Sequence, residues 1–354
     1  MSSNAPNPAE ELASKINSLR SRMSTLQSSA LLSDVKDAVE DLDTTVNKLA
    51  SLISAVRQAG YVFDGTLEKK AEALKKQWPQ LRTGANSQIA QQVPLLQGAL
   101  RQVETQFNNL ASKQANVAAA RPLVPAVERA VDSLESKVRA AESAIRGSFD
   151  SFSSEVDALN SRLEKLQWMM TQATEATFQL LPTEAMVAVV EAKWDRDGKD
   201  DPKGVLFLTD QRLLFEQKEE VATKKVLFIT TAKEKVHKLL LDMPAAEVEK
   251  VTASKKGLLG HEDHIDLQFV SGAKVRAAHF HLDGQDCNEW QALIHRAKAK
   301  DFDKDRVVKI DQAELDKVKN APTQCSNCGG KFTKPVLRGQ TEIVCEYCGA
   351  VTRL

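Results

Sequence analysis

Apolar residues recur along the first half of the chain at alternating steps of four and three. Leu12, Ile16, Leu19, Met23, Leu26 and Ala30 form one such run; Val35, Val39, Leu42, Val46, Leu49, Ile53 and Val56 form a second. A period of 3.5 residues is the seam of a coiled coil. The register slips across Leu31–Asp34, where the helix is expected to bend or restart. Gly60 and Gly65 then bracket a turn. The pattern resumes at Leu67, Ala71, Leu74, Trp78, Leu81 and Ala85. After one extra residue it continues at Ile89, Val93, Leu96, Leu100, Val103, Phe107 and Leu110. Pro79 and Pro94 fall inside this stretch, and each is expected to kink or restart the helix because it removes a backbone hydrogen bond.

Beyond Pro122 and Pro125 a third stretch runs through Val127, Val131, Leu134, Val138, Ala141 and Ile145. It shifts phase near Gly147 and continues through Phe149, Phe152, Val156, Leu159, Leu163, Leu166 and Met170. Residues 1–181 therefore read as a helical coiled-coil region of three long helices. At about 50 residues each they would be roughly 75 Å long, and short turns make neighbours antiparallel. Two readings stand side by side: an isolated spacer bundle, or a coiled coil for self-association or partner binding. Small Ala and Ser seam residues bury little apolar area and favour self-association.

At Leu181-Pro182 the period changes to two, the signature of strands. Strands are expected at Met186–Trp194, Val205–Thr209, Arg212–Glu216, Val226–Thr231, Lys238–Leu241, Val248–Ala253, His264–Val270 and Lys274–His281. A tight Asp210-Gln211 turn joins the second and third, and Ser271-Gly272 turns the last hairpin. An amphipathic helix follows, capped by Asp283 or Asp286, with Trp290, Leu293, Ile294 and Ala297 on one face. The run Gly204-Val-Leu-Phe-Leu-Thr-Asp-Gln-Arg-Leu-Leu-Phe215 resembles the G-x-L-x-L-T-x-x-R-L-x-F signature of GRAM-type, PH-like domains. The resemblance spans residues 182–300. It implies a seven-stranded barrel closed by a helix, in a family whose members bind phosphoinositides, anionic membranes or proteins. Within the motif, Arg212 beside the turn acid reads as a turn-stabilising pair.

A lipid site needs clustered cations on loops. Lys255, Lys256, Leu258 and Leu259 are the candidate, since two lysines before two leucines can meet headgroups and the acyl boundary together; an ordinary hairpin loop is the other reading. Asp195–Asp201 has acids at calcium-loop spacing, but Lys199 and Leu206 stand where ligands are required, so it reads as an acidic hairpin loop. His261, His264, His279 and His281 can meet on adjacent strands as a metal site, against the reading as surface or edge-strand histidines. Cys287 opens a helix and reads as packing.

Charge adds an exclusion. The chain carries 48 basic and 48 acidic residues, and 1–181, 182–300 and 301–354 are each balanced to within one charge. No segment has the basic excess that phosphate neutralisation requires. No apolar run approaches the span of a membrane helix, and Met1–Pro8 lacks the features of a signal peptide. The expected location is cytoplasmic, at most peripheral to a membrane.

Residues 301–324 read as a charged linker, with a short helix over Gln312–Lys319 behind an Asp311–Glu314 capping box. Then come Cys325-Ser-Asn-Cys328-Gly-Gly and Cys345-Glu-Tyr-Cys348-Gly-Ala. Four of the five cysteines thus stand in two C-x-x-C pairs, the pattern of metal ligands. Each pair is followed by a glycine where the turn needs positive φ. Residues 325–354 resemble a zinc ribbon in which Cys325, Cys328, Cys345 and Cys348 hold one structural Zn²⁺. With every coordination position filled by protein, none remains for catalysis. Lys331, Lys334 and Arg338 give it only a thin basic edge.

The expected fold is thus a long helical coiled-coil bundle, a small PH-like β-barrel with a C-terminal helix, and a zinc ribbon. No catalytic set is visible. The expected function is a non-enzymatic scaffold or adaptor docking on protein partners or an anionic membrane; the alternative is a nucleic-acid-associated factor using the ribbon.

Overall fold

The computed structural model describes residues 7–196, 201–226, 229–257 and 261–354. Contacts divide the chain into two compact units, Met1–Ser51 with Glu68–Ser161, and Leu52–Leu67 with Arg162–Leu354.

The helices are α1 (Pro8–Ser29), α2 (Ser33–Gln58), α3 (Thr66–Ser112), α4 (Val117–Ala120), α5 (Val124–Gly147) and α6 (Asp150–Glu175). Seam residues are buried along all the long helices, apart from half-buried Leu81 and Val93. Two of the three expected stretches are each split in two. Between α1 and α2, Leu32 adopts φ 53° with its side chain fully buried. An L-residue in that region ends a helix at some cost in strain, and here the buried leucine fills the seam where the register slips. Between α5 and α6, the Ser148 hydroxyl donates to the Ile145 carbonyl at 2.6 Å, closing the first helix one residue out of phase with the next. The middle stretch stays one helix of 47 residues despite Pro79 and Pro94. Each proline removes one N–H and costs about 3 kcal/mol. Buried Trp78, Ala85, Ile89 and Leu96 on either side hold the helical path.

Polar pairs fix directions in the first unit. Arg22 reaches Asp132 and Glu135, and the Arg146 guanidinium donates to the Asp34 carbonyl. These partners ascend together, so α1–α2 runs parallel to α5–α6. Gln27 donates to Glu104, whereas Asp43 accepts from Trp78 and Arg82. That order is reversed, so α3 is antiparallel to α1–α2, as short connections require. Trp78 stacks on Phe152 at 5.3 Å.

The second unit is built on an antiparallel sheet: β1 (Met186–Asp195), β2 (Lys203–Thr209), β3 (Arg212–Val226), β4 (Ile229–Pro244), β5 (Val248–Lys256), β6 (Glu262–Phe269) and β7 (Ala277–Leu282), in the order β4-β3-β2-β1-β7-β6-β5. Helix α7 (Cys287–Lys298) packs on β5 and β6. This is the PH-like architecture that the motif implies. Asp286 is the cap, accepting from the Asn288 amide at 2.7 Å. Trp194, Phe215 and Phe280 meet with ring centres 5.1 to 5.8 Å apart, and Trp290 and Ile294 of α7 are fully buried. The expected separate strands at Val226–Thr231 and Lys238–Leu241 instead fall, among the described residues, at the end of β3 and within β4, which pair antiparallel along their length; residues 227 and 228 lie outside the described residues. Gly204 faces a neighbouring strand so closely that a Cβ would lie 1.9 Å from the Glu216 carbonyl oxygen.

After α7, a 3₁₀ turn at Asp301–Asp305 buries Phe302 against Phe63 (5.5 Å) and under the Arg296 guanidinium (4.2 Å). The Val307 amide donates to the Val62 carbonyl at 2.8 Å. Helix α8 (Gln312–Asn320) follows with Asp311 as its cap, and β8 (Glu342–Val344) pairs with β9 (Val351–Arg353).

Gly204→Ala is expected to destabilise the sheet by about 2–4 kcal/mol, since backbone rather than a movable side chain stands in the way. Gly84→Ala, in α3 with open space around it, is expected to stabilise by about 1 kcal/mol. Denaturant unfolding of the two variants checks both signs.

Candidate metal centre

The two C-x-x-C turns fold alike. The Gly329 amide donates to the Cys325 carbonyl at 2.9 Å, and the Cys325 amide to the Gly330 carbonyl at 2.8 Å. The Gly349 amide donates to the Cys345 carbonyl, and the Cys345 amide to the Ala350 carbonyl, both at 2.9 Å. Gly329 and Gly349 take φ of 70° and 74°, which glycine adopts without strain. The turns aim their sulfurs inward. Cys325 Sγ lies 3.7 Å from Cys348 Sγ, and Cys328 Sγ lies 3.6 Å from Cys345 Sγ. All four lie within 4.8 Å of one another.

This donor set fits a tetrahedral metal ion. Sulfurs about 2.3 Å from a zinc ion stand about 3.8 Å apart, and soft thiolates select ions of that class. The acid–base chemistry points the same way. The Cys348 thiol is pulled down to about 6, first by the Ala350 amide and then by Asn327 and neighbouring thiols. Cys328 is lowered by the Gly330 amide, yet its bonds to Cys348 and Cys345 push it up to about 12. Thiols this close cannot all ionise together unless a cation neutralises them.

The ribbon is fastened by Arg338. Its amide donates to the Leu180 carbonyl at 2.8 Å, and its guanidinium donates to the Glu184 carbonyl. Lys334 is ion-paired with Glu346. Two of the three cations on the expected basic edge are therefore engaged within the protein.

Segment 177–185 is held from every side. Glu184 is fully buried and accepts two bonds from Arg212, at 2.9 Å from Nε and 2.7 Å from Nη2. Arg212 also donates to Asp242 and to the Gln179 carbonyl. The turn acid is not its partner. Asp210 accepts instead from the Ala185 amide at 2.8 Å and from Arg306 at 2.6 Å. Burial pushes the Asp210 carboxyl up, against the pull of the Ala185 amide and of Arg306. The motif's arginine is thus structural, but its carboxylates come from outside the turn. Neither Glu184 nor Arg306 carries a local signal.

Of the lipid candidates, Leu258 and Leu259 lie outside the described residues. Lys255 reaches Asp286 at 2.9 Å and Asp263 at 3.6 Å. Its ammonium is the leading cause that holds the Asp286 carboxyl down at about 2. Lys256 stands opposite Glu262 in the β5–β6 ladder. Lys255 is engaged within the protein, whereas Lys256 is exposed. Cys287 is buried, and burial followed by Asp263 raises its thiol, which suits packing. Asp195 and Asp201 flank residues outside the described set, and Asp201 pairs with Lys193 at 2.8 Å.

No family model matches the chain, and no curated protein sequence matches it. Among solved structures it is similar to the N-terminal PH domain of Vps36, at 16% identity over 35% of this chain and 89% of that one, with a TM-score of 0.24. The DH/PH fragment of PDZ-RhoGEF in complex with human RhoA is 12% identical over 84% of this chain and 96% of that one, with a TM-score of 0.25. Autoinhibited Vav1 is 10% identical over 99% and 68%, with a TM-score of 0.23. The PH-like architecture rests on the strand order of the sheet and the helix α7 packed on β5 and β6.

Chelation of the purified chain is expected to release one Zn²⁺ in step with the appearance of four reactive thiols, with Cys287 reacting only on unfolding. A thiol reagent and a metallochromic dye followed together check this; four reactive thiols before chelation would contradict it.

Proposed function

We propose that this protein is a non-enzymatic scaffold or adaptor in which one Zn²⁺ builds a protein-docking ribbon onto a GRAM-type, PH-like domain. The observation that carries this reading is the closed set of four cysteine sulfurs in a ribbon fastened by Arg338. A metal with four protein thiolates has no position for substrate and acts through folding. Val344, Tyr347 and Val351 are 55%, 70% and 57% exposed on that ribbon, and grouped exposed apolar residues mark contact surfaces. The engagement of Lys334, Arg338 and Lys255 favours a protein over a nucleic acid or an anionic bilayer. No described helix is long and apolar enough to cross a membrane. In this reading the helical bundle spaces the docking module or self-associates as a coiled coil, and the protein works in the cytoplasm.

A photocrosslinking residue in place of Tyr347 tests the docking surface in the full chain. The expected result is a discrete protein adduct that disappears when zinc is stripped and is absent when the same group replaces exposed Lys113. Flotation of the chain with anionic vesicles at physiological salt, abolished by Lys255→Glu with Lys256→Glu, would overturn this reading in favour of a membrane-docking barrel. Adducts to RNA or DNA would overturn it in favour of nucleic acid.

A further inference from the structure

Three of the six histidines meet on one face of the PH-like sheet. Strands β6 and β7 pair with His264 opposite His281 and Asp266 opposite His279. Alternation puts these four residues and Glu262 on the same side. The His264 and His281 rings stack at 4.8 Å and 14°, and the His279 ring lies 5.1 Å from His264. Neither strand is an edge. β7 lies between β1 and β6, and β6 between β7 and β5. The expectation of surface or edge-strand histidines gives way to a set on interior strands, with His264 only 9% exposed.

The hydrogen bonds set the ring tautomers in sequence. Asp266 Oδ1 lies 2.5 Å from His279 Nδ1. A carboxylate only accepts, so the neutral His279 ring carries its proton on Nδ1 and presents a lone pair on Nε2. That lone pair faces His264 Nδ1 at 3.0 Å. His264 therefore donates from Nδ1, and its Nε2 is left with a lone pair. This Nε2 faces Glu262 Oε2 at 3.4 Å, longer than the 2.7–2.9 Å of a charge-assisted hydrogen bond. Two acceptors thus confront each other beside His281. Ligand atoms of Glu262, His264 and His281 all lie within 4.8 Å of one another. A neutral imidazole with its Nε2 lone pair turned toward a carboxylate and a second imidazole is the form that ligates metals. Lys193, opposite His281 on β1, is neutralised by Asp201 at 2.8 Å.

We infer that Glu262, His264 and His281 form a second metal site, which takes a divalent transition ion on His264 Nε2, a ring nitrogen of His281 and the Glu262 carboxylate. Asp266 and His279 act behind it as positioning residues that fix the tautomer of His264, the outer-shell arrangement that metal-binding imidazoles commonly have. Imidazole with carboxylate suits zinc, nickel or copper, and differs in softness from the four thiolates of the ribbon. Three protein donors leave a coordination position for water or another ligand. The site stands apart from the scaffold reading and does not depend on it.

The test is calorimetric titration of Zn²⁺ into the full-length chain whose ribbon is already zinc-loaded. The expected result is one further equivalent per chain. Its affinity should fall about tenfold to a hundredfold in Asp266→Asn and by at least as much in His281→Gln. It should be unchanged in His295→Gln, where the histidine is an exposed residue of α7. Matching near-ultraviolet circular dichroism and unfolding midpoints show that the variants fold. Because His264 is buried, substitutions of the half-buried His281 and the exposed Glu262 decide the outcome. No further equivalent in the parent chain, or unchanged affinity in folded His281→Gln and Glu262→Gln, would overturn the inference.

Discussion

The buried ion pair between Glu184 and Arg212 is the constraint on which the second unit depends. A carboxylate with no solvent contact is tolerated only if its oxygens are fully engaged. Glu184 meets that demand with Arg212 Nε and Nη2, the Thr209 hydroxyl and the Leu181 amide. Each bond fixes a different piece: the β2–β3 turn, the start of β3 and the strap leading out of α6. Removing one partner of such a pair costs about 3–5 kcal/mol, whereas an apolar pair of the same shape can be neutral. The pair therefore specifies an arrangement more than it adds net stability. Around it the strap makes further bonds: Thr177 to Glu216, Ala185 to Asp210, and the Thr183 carbonyl to Arg306. Arg338 brings the ribbon onto the same segment.

What the sequence discloses follows from how local the physics is. Burial at alternating steps of three and four reads directly as helix, and Leu12 to Ala30 and Val127 to Ile145 are buried as expected. The places where helices end depend on single backbone conformations, such as that of Leu32, which only the phase slip announces. The cysteine knuckles are legible because turn, glycine and ligand lie within six residues. Glu184, Arg306 and Arg338 are not, because their partners stand 28, 96 and 154 residues away. The histidines are an intermediate case. Alternation in Glu262, His264 and Asp266, and in His279 and His281, places each set on one face. That the two sets lie opposite one another depends on the β6–β7 register.

The two candidate metal centres divide the chemistry by softness and by position. The ribbon offers four thiols at the end of a small fold with little core of its own, so an ion there contributes directly to folding. The sheet offers imidazole and carboxylate on strands already held by the aromatic core, so an ion there is an addition to a formed scaffold.

Arg338 fastens the ribbon to the strap, while the strap's hold on the sheet depends on Glu184 and Asp210. Residue-resolved amide hydrogen exchange on the full chain, with and without chelation, separates the two holds. Chelation is expected to speed exchange at the amides of Cys325, Cys345 and Arg338 and to leave the Ala185 amide, bonded to Asp210, protected. Unchanged exchange at Arg338 and both cysteine amides after metal loss, or simultaneous loss of protection at Ala185, would show that the ribbon and the strap are not joined in this way.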